Sequence, residues 1–269
     1  MNICFIGGGN MATALIGGLL GQGFSAGTIS VVEINAENRT RLQQDFLVRA
    51  VESLAEGVDG SQVIVLAVKP QQLKEVAGQL APHLTGQVLI SIAAGIRAQD
   101  LARWTESQII VRAMPNTPAL IQSGMTGMYA MPSVTAVQRE QAQRILSAVG
   151  EVMWLDDEVM IDAVTAISGS GPAYVFYLIE ALELAAVRLG FNAADARRLS
   201  VATFLGGSKL AAASAEEVAV LRARVTSKNG TTERALLSLA DNQVAEHIVA
   251  AALAAEARSR EMGDELGRA

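Results

Sequence analysis

The chain has 269 residues, enough for one large domain or two ordinary ones; 51% of them are hydrophobic and 18% are charged. Its formal net charge of −6 argues against nucleic acid or an anionic membrane as a partner. The single cysteine, Cys4, excludes an intrachain disulfide, and no basic segment precedes the first predicted strand, so we expect a cytoplasmic protein without a signal or transit peptide.

A glycine-rich turn follows the first predicted strand. Residues 3–6 form a short apolar run typical of a buried strand, and a helical apolar pattern covers residues 11–20. Between them the chain reads G-x-G-x-x-A, with Gly7 for the sharp turn, Gly9 for close approach of a pyrophosphate and Ala12 for close helix–strand packing. A turn without a ligand is the alternative, but this context favours dinucleotide binding.

Strands and helices alternate over the first half of the chain. Further strands are predicted at 29–32, 63–68, 88–92, 109–113 and 125–130, and helices at 38–46, 71–80 and 134–149. This alternation predicts a doubly wound parallel sheet. Ligands of such sheets bind beyond the carboxyl ends of the strands, where Lys69-Pro70, residues 93–95 and residues 116–118 fall. Ordinary loop punctuation, and a solvated charge for Lys69, are the alternatives.

The second predicted strand ends at an acidic residue that bears on the cofactor. Glu33 occupies a position where a carboxylate often binds the adenosine ribose, which would favour NAD over NADP. Arg39 and Arg41 follow closely, and their positive charges could favour NADP instead. The sequence therefore leaves the preference open.

The second half of the chain is predicted to be helical after about residue 157. The segment 173–189 is apolar on nearly every face, yet it is too short and too charged for a confident membrane span. We therefore expect it to lie at a subunit interface. Further helices are predicted at 192–213, 216–225 and 231–260.

Few residues suit acid–base, nucleophilic or metal chemistry. His83 and His247 have no Cys, Asp or Glu at metal-ligand spacing, so we expect no metal site. There is no G-x-S-x-G motif either. A reductase whose substrate is already electrophilic, such as a protonated imine, needs less acid–base help from the protein.

Two polar turns precede predicted helices, at residues 167–174 and 225–233. Both could be simple helix caps. The N–H groups of Gly230, Thr231 and Thr232 could also bind a carboxylate at a helix start.

Five motifs together resemble the pyrroline-5-carboxylate reductase family. They are residues 7–11, 67–70, 112–118, 168–174 and 225–232, in order over nearly the whole chain. The resemblance implies hydride transfer from NAD(P)H to the C=N bond of 1-pyrroline-5-carboxylate, giving L-proline in the last step of proline biosynthesis. It implies an N-terminal Rossmann-type domain over 1–157 and an all-α substrate-binding and dimerisation domain over 158–269. A homodimer through the helical domain is expected, with a larger ring as a further option.

The resemblance also implies roles for individual residues. The residues assigned to the cofactor are Gly7, Gly8, Gly9, Asn10, Met11, Ala67, Val68, Lys69, Pro70, Ala93, Ala94, Gly95 and, near the nicotinamide, Asn116. The residues assigned to the substrate are Ser168, Ser170, Gly171, Ser227, Gly230, Thr231 and Thr232. The Thr232 hydroxyl is the expected catalytic group, orienting the ring nitrogen or relaying a proton. We expect NADPH as cofactor, with NADH as the alternative.

One departure from the family pattern and two alternative functions remain. Family members often have Pro-Gly or Lys-Gly where this chain has Lys228-Asn229, but Asn tolerates left-handed backbone angles. A hydroxyacid dehydrogenase would use Lys209, yet the Asn such enzymes carry four residues earlier is replaced by Leu205. A non-catalytic nucleotide-sensing dimer is the second alternative.

Overall fold

The computed structural model describes residues 1–268, which divide into two compact units. One unit comprises residues 1–170 together with the chain from Ala254 onward, and the other comprises Gly171–Leu253. The division falls later than the expected domain boundary at 157. Residues 158–170 belong with the sheet unit because Val164 packs on its strands, with methyl groups close to Gly127.

The first unit is built on an eight-stranded sheet. Its strands are β1 Ile3–Ile6, β2 Ile29–Val32, β3 Arg49–Val51, β4 Val63–Leu66, β5 Val88–Ser91, β6 Ile110–Met114, β7 Gly124–Ala130 and β8 Gly150–Trp154. Their spatial order is β3-β2-β1-β4-β5-β6-β7-β8. Strands β1 to β6 are parallel, β7 is antiparallel to β6, and β8 is parallel to β7. The doubly wound parallel sheet expected from the sequence is confirmed, with two reversed strands added at one edge.

The helices of the first unit cover the sheet. They are α1 Asn10–Gly21, α2 Ala36–Phe46, α3 Leu54–Val58, α4 Pro70–Leu80, α5 Ala98–Thr105, α6 Ala136–Leu146 and α7 Met160–Val164. Every residue of β1, β4 and β5 is buried, as expected for parallel strands covered on both faces. Phe5 of β1 and Leu15 and Leu19 of α1 are among the fully buried side chains of this core.

The second unit contains helices only. They are α8 Gly171–Arg188, α9 Ala193–Ala213, α10 Val218–Arg224, α11 Thr231–Asp241 and the first part of α12 Val244–Arg268. The predicted segment 231–260 is thus two helices, separated where Gln243 adopts a left-handed φ of +53°. Helix α8 packs along α9, yet no residue of α8 is buried within the chain.

The exposed surface of α8 is strongly apolar. Phe176 and Tyr177 are 61% and 71% exposed, and Leu189 just beyond the helix is 80% exposed. By length and composition alone the helical stretch Met160–Arg188 could cross a membrane, although core helices of soluble proteins pass the same test. A contiguous exposed apolar face of this kind is typical of an interaction surface.

The last part of α12 belongs to the first unit. Arg97 forms an ion pair with Asp264 at 2.6 Å, and the Ser259 hydroxyl donates a 2.6 Å hydrogen bond to Asp162. Leu266 packs against the core of the sheet unit. The sheet unit is therefore assembled from both ends of the chain.

Candidate functional site: a nucleotide cleft and a helix N-terminus

The glycine turn after β1 has the geometry of a phosphate-binding loop. Gly7 has a φ of +97°, and a Cβ added there would lie 2.8 Å from the Ala67 carbonyl oxygen. Gly9 precedes α1 without any side-chain cap, and a Cβ added there would meet nothing within 4 Å. Ala12 is fully buried against the sheet. The first N–H groups of α1 are therefore open to an anion.

A cleft of about 800 Å³ lies at the carboxyl ends of β1, β2 and β4. This is the switch point of the sheet, because the chain proceeds from β1 to β2 and β3 on one side and then crosses to β4 on the other. Six of the residues assigned to the cofactor line it, namely Gly7, Gly8, Gly9, Ala67, Val68 and Lys69.

The other residues assigned to the cofactor lie outside this lining. Asn10 and Met11 form the first turn of α1, and Pro70 is the first residue of α4, which suits its missing N–H. Residues 93–95 follow β5, where a Cβ on Gly95 would lie 3.1 Å from Met262 of α12. The structure thus gives Gly95 a packing role that the sequence analysis missed.

Glu33 is held at the edge of the cleft by two backbone N–H groups. One carboxylate oxygen accepts a 3.0 Å hydrogen bond from Gly8, and the other accepts a 2.8 Å bond from Asn35. The nucleotide turn and the loop after β2 are therefore joined through this side chain. Asn35 in turn caps α2, accepting from the N–H of Asn38 at 2.9 Å.

Arg39 braces the same loop. Its Nη1 donates to the carbonyl oxygens of Glu33 and Ile34 at 2.7 Å and 2.8 Å. Its Nη2 forms an ion pair with Glu52 at 2.9 Å. The sequence suggests that Arg39 could favour NADP, but it does not show that the guanidinium donors are already in use.

Asn116 and Ser168 come together beyond β6. The Asn116 side-chain amide donates to the carbonyl and hydroxyl oxygens of Ser168 at 3.2 Å and 3.1 Å. Its own carbonyl oxygen accepts from the N–H of Met125 at 2.9 Å. The Ser168 hydroxyl donates to the Met125 carbonyl at 3.3 Å. One residue assigned to the cofactor and one assigned to the substrate are thus bonded to each other. Ser170 follows at the end of a π-helical turn.

The polar turn before α11 is described within the helical unit. The N–H of Gly230 donates to the Ser227 carbonyl at 3.0 Å, and Asn229 has a φ of +59°, the left-handed conformation that Asn tolerates. The N–H of Asn229 donates to Glu233 at 2.7 Å. Gly230 precedes α11 without a side-chain cap, so the N–H groups of Thr231 and Thr232 are available to a ligand.

Other reactive groups offer little chemistry. Among residues 1–268, no group of three or more His, Cys, Asp or Glu side chains is arranged to hold a metal ion. His83 lines the nucleotide cleft, whereas His247 lies on an exposed part of α12. Burial raises the pKa of the Cys4 thiol to about 11, so it is not a nucleophile near neutral pH.

Comparison with known proteins assigns the family. Residues 158–262 match the family described as pyrroline-5-carboxylate reductase dimerisation, and residues 2–95 match NADP oxidoreductase, coenzyme F420-dependent. A pyrroline-5-carboxylate reductase from Pseudomonas aeruginosa is 48% identical over 99% of this chain and 98% of its own length. The chain belongs to the pyrroline-5-carboxylate reductase family. The chain is therefore an NAD(P)-dependent oxidoreductase that reduces pyrroline-5-carboxylate.

Solved structures of relatives agree with the fold. The reductase from Coxiella burnetii superposes with a TM-score of 0.94 at 38% identity, covering 97% of this chain and 98% of that one. The reductase from Plasmodium falciparum, solved with NADP bound, has a TM-score of 0.86 at 29% identity, covering 98% of both chains. The hydroxyacid dehydrogenase and the nucleotide sensor are not favoured.

Proposed function

We propose that the chain transfers a hydride from the nicotinamide of NAD(P)H to the imine carbon of 1-pyrroline-5-carboxylate, giving L-proline. The observation that carries the proposal is the pairing of Asn116 with Ser168, because it joins a residue assigned to the nicotinamide to one assigned to the substrate. The remaining features support the two ends of the reaction separately.

On the cofactor side, the proposed pyrophosphate site is the turn from Gly7 to Gly9. Its support is the set of uncapped N–H groups at the start of α1 and the open space beside Gly9. Asn10, Met11, Pro70 and residues 93–94 are proposed to complete the site around it. NADPH remains the prediction from sequence, and the NADP held by the P. falciparum relative supports a pyridine nucleotide.

On the substrate side, the proposed carboxylate site is the start of α11. Thr231 and Thr232 would hold the anion through backbone N–H groups, because the helix has no side-chain cap and its dipole favours negative charge there. The N–H of Gly230 was expected to join them, but it already donates to the Ser227 carbonyl at 3.0 Å, so Gly230 is proposed to shape the turn instead. Ser227 is proposed to complete this site. Ser168, Ser170 and Gly171 are proposed as further substrate contacts.

The chemistry requires little from acids and bases. The imine nitrogen carries a proton in the reactive form, so the incoming hydride pair forms the C–H bond while the C=N π pair moves to nitrogen. The nicotinamide is oxidised and the ring becomes a secondary amine. We assign to Thr232 the orientation of the nitrogen or the relay of its proton. Most of the rate acceleration then comes from holding the hydride-donating carbon of the nicotinamide close to the imine carbon of the substrate.

The proposed assembly is a homodimer through the helical unit. The match of residues 158–262 to a dimerisation family and the exposed apolar face of α8 support it. A partner covering Phe176 and Tyr177 would account for that face without a membrane. A larger ring and a cytoplasmic location are predictions.

The test is a direct assay of the reaction. Purified protein is mixed with 1-pyrroline-5-carboxylate and NADPH or NADH, and loss of reduced-nicotinamide absorbance is followed together with formation of L-proline. We expect turnover with at least one cofactor. Folded protein that binds nucleotide without turnover would contradict the proposal, and oxidation of a hydroxyacid abolished by Lys209→Ala would replace it.

A further inference from the structure

We propose that Glu33 makes this chain select NADH over NADPH by occupying the place of the adenosine 2′-substituent with a fixed carboxylate. The inference rests on the proposed function and deepens it by naming the cofactor and the residue that selects it. The sequence expects NADPH but leaves the preference open because of Glu33, and the contacts of Glu33 and Arg39 in the structure favour NADH.

The first reason is that the Glu33 carboxylate cannot easily move away. Its two oxygens accept hydrogen bonds from Gly8 at 3.0 Å and from Asn35 at 2.8 Å, so both ends of the group are held at the rim of the cleft. A carboxylate at the end of the second strand accepts hydrogen bonds from ribose hydroxyls and repels a phosphate in their place. The residue is therefore preorganised for the unphosphorylated ribose.

The second reason is that Arg39, one of the two arginines that follow β2, is already engaged in the loop. NADP-binding loops commonly use an Arg near this position to hold the 2′-phosphate. Here the Arg39 guanidinium donates to two backbone carbonyls of the loop and pairs with Glu52, and its side chain is only 20% exposed. Turning it toward a phosphate would break these contacts and leave two carbonyl oxygens without a donor.

The third reason is the charge of the cleft. Glu33, Glu52 and Glu75 line it, whereas Lys69 is its only lysine or arginine among the described residues. Lys69 follows β4 and Glu33 follows β2, with β1 between the two strands. The end of the cleft beside β2 and β3 therefore carries Glu33 and Glu52, whereas Lys69 and Glu75 lie on the β4 side, Glu75 on α4.

The relative from P. falciparum was solved with NADP bound. At 29% identity that structure does not decide the preference of this chain. The selection is assigned to the loop after β2 in this sequence, through Glu33 and the way Glu52 engages Arg39.

The experiment separates binding of the adenosine end from turnover. Adenosine 5′-monophosphate and 2′,5′-adenosine diphosphate, which lack the nicotinamide, are titrated by calorimetry into the wild type, Glu33→Gln and Glu37→Gln. Glu37 is in the first turn of α2, outside the cleft lining, so its variant carries the same charge change. The ratios of kcat/KM for NADH and NADPH are measured on the same proteins.

We expect the wild type to favour the monophosphate and NADH by about tenfold or more, the equivalent of about 1.4 kcal/mol. Glu33→Gln keeps an oxygen for the Gly8 N–H and should reduce both ratios about tenfold, while Glu37→Gln should leave them within about twofold. Glu52→Gln, which frees Arg39 from its acidic partner, should shift both ratios toward the phosphorylated ligand.

Two results would overturn the inference. A wild type that prefers the diphosphate and NADPH would show that the carboxylate does not select. A ratio unchanged by Glu33→Gln, in protein with wild-type thermal stability, would assign the selection elsewhere. If the fragments discriminate as expected but neither cofactor is turned over, the inference stands and the proposed reaction fails.

Discussion

The side-chain amide of Asn116 donates to both the carbonyl and the hydroxyl oxygen of Ser168, at 3.2 Å and 3.1 Å. Its remaining acceptor is used by the N–H of Met125. Asn116 is therefore a three-way junction between the loop after β6, strand β7 and the π-helical turn before α8. A residue bonded on both sides in this way fixes the position of its neighbours as well as its own.

Replacing Asn116 by Asp should test both its role in stabilising the fold and its role in positioning the reactants. The carboxylate still accepts from Met125, but it loses both donated bonds and faces two Ser168 oxygens. We expect kcat to fall by about tenfold or more, with a loss of about 1–3 kcal/mol in the free energy of unfolding. Steady-state kinetics and denaturant titration measure the two effects. Full activity in Asn116→Asp would show that this junction does not position the reactants.

The role of Thr232 is tested by removing its hydroxyl. Thr232→Ala should reduce kcat by more than about tenfold, since the loss of one catalytic hydrogen bond is of that order. Thr232→Ser keeps the hydroxyl and is the matched control, so most of the rate should return. An unchanged rate in Thr232→Ala would remove this residue from the mechanism.

Gly7 and Gly9 should respond differently to the same substitution. Gly7→Ala places a Cβ 2.8 Å from a carbonyl oxygen at a φ of +97°, so we expect a loss of about 1–3 kcal/mol in stability. Gly9→Ala meets open space and should fold normally, but it should weaken nucleotide binding about tenfold by intruding on the pyrophosphate. Thermal unfolding and calorimetry distinguish the cases. Unaltered nucleotide affinity in Gly9→Ala would argue against a phosphate site.

The apolar face of α8 predicts the state of assembly. Phe176→Glu should convert the dimer to monomers, because a charge cannot be buried there without a partner. Val137→Glu, at a residue 64% exposed on α6, makes the same change elsewhere and should leave the dimer intact. Light scattering after size exclusion gives the mass in each case. A dimeric Phe176→Glu protein would exclude this face from the interface.

The buried thiol of Cys4 predicts that the free energy of unfolding falls at alkaline pH. Burial raises the pKa of its thiol from 9.0 to about 11 in the folded chain, so the group contributes stability below pH 9 that is lost as pH rises through 11. The contribution is at most about 2–3 kcal/mol. Denaturant titrations from pH 8 to 11 should show a steeper decline than Cys4→Ala shows. Rapid modification of Cys4 by a thiol reagent in the native protein would contradict its burial.

The sequence predicted the central strands well and the outer ones poorly. Strands β1 and β4 are continuous apolar runs, and β2 and β5 are apolar apart from one serine each, because both faces of the sheet are covered there. The outermost strands, Arg49–Val51 and Gly150–Trp154, were missed. Each is partly exposed, and its mixed polar and apolar residues resemble a loop.

The candidate site also has features that the sequence predicts and features that it does not. The glycine turn could be predicted because its chemistry is local and depends on residues that follow each other in the chain. The bond between Asn116 and Ser168 could not, since 52 residues separate them and only the sheet brings them together. The occupied donors of Arg39 were equally hidden, because a sequence shows which charges are near but not which contacts they have made.

Helix α12 makes the nucleotide-binding unit discontinuous. Its last part supplies Met262 beside Gly95, Asp264 to Arg97 and Ser259 to Asp162, while its first part belongs to the helical unit. The nucleotide-binding unit consequently does not end in sequence where the sheet ends, but also includes the last part of α12. An exchange of nucleotide-binding halves between two relatives, in evolution or in a designed chimera, has to carry residues 254–268 from the same parent as the sheet.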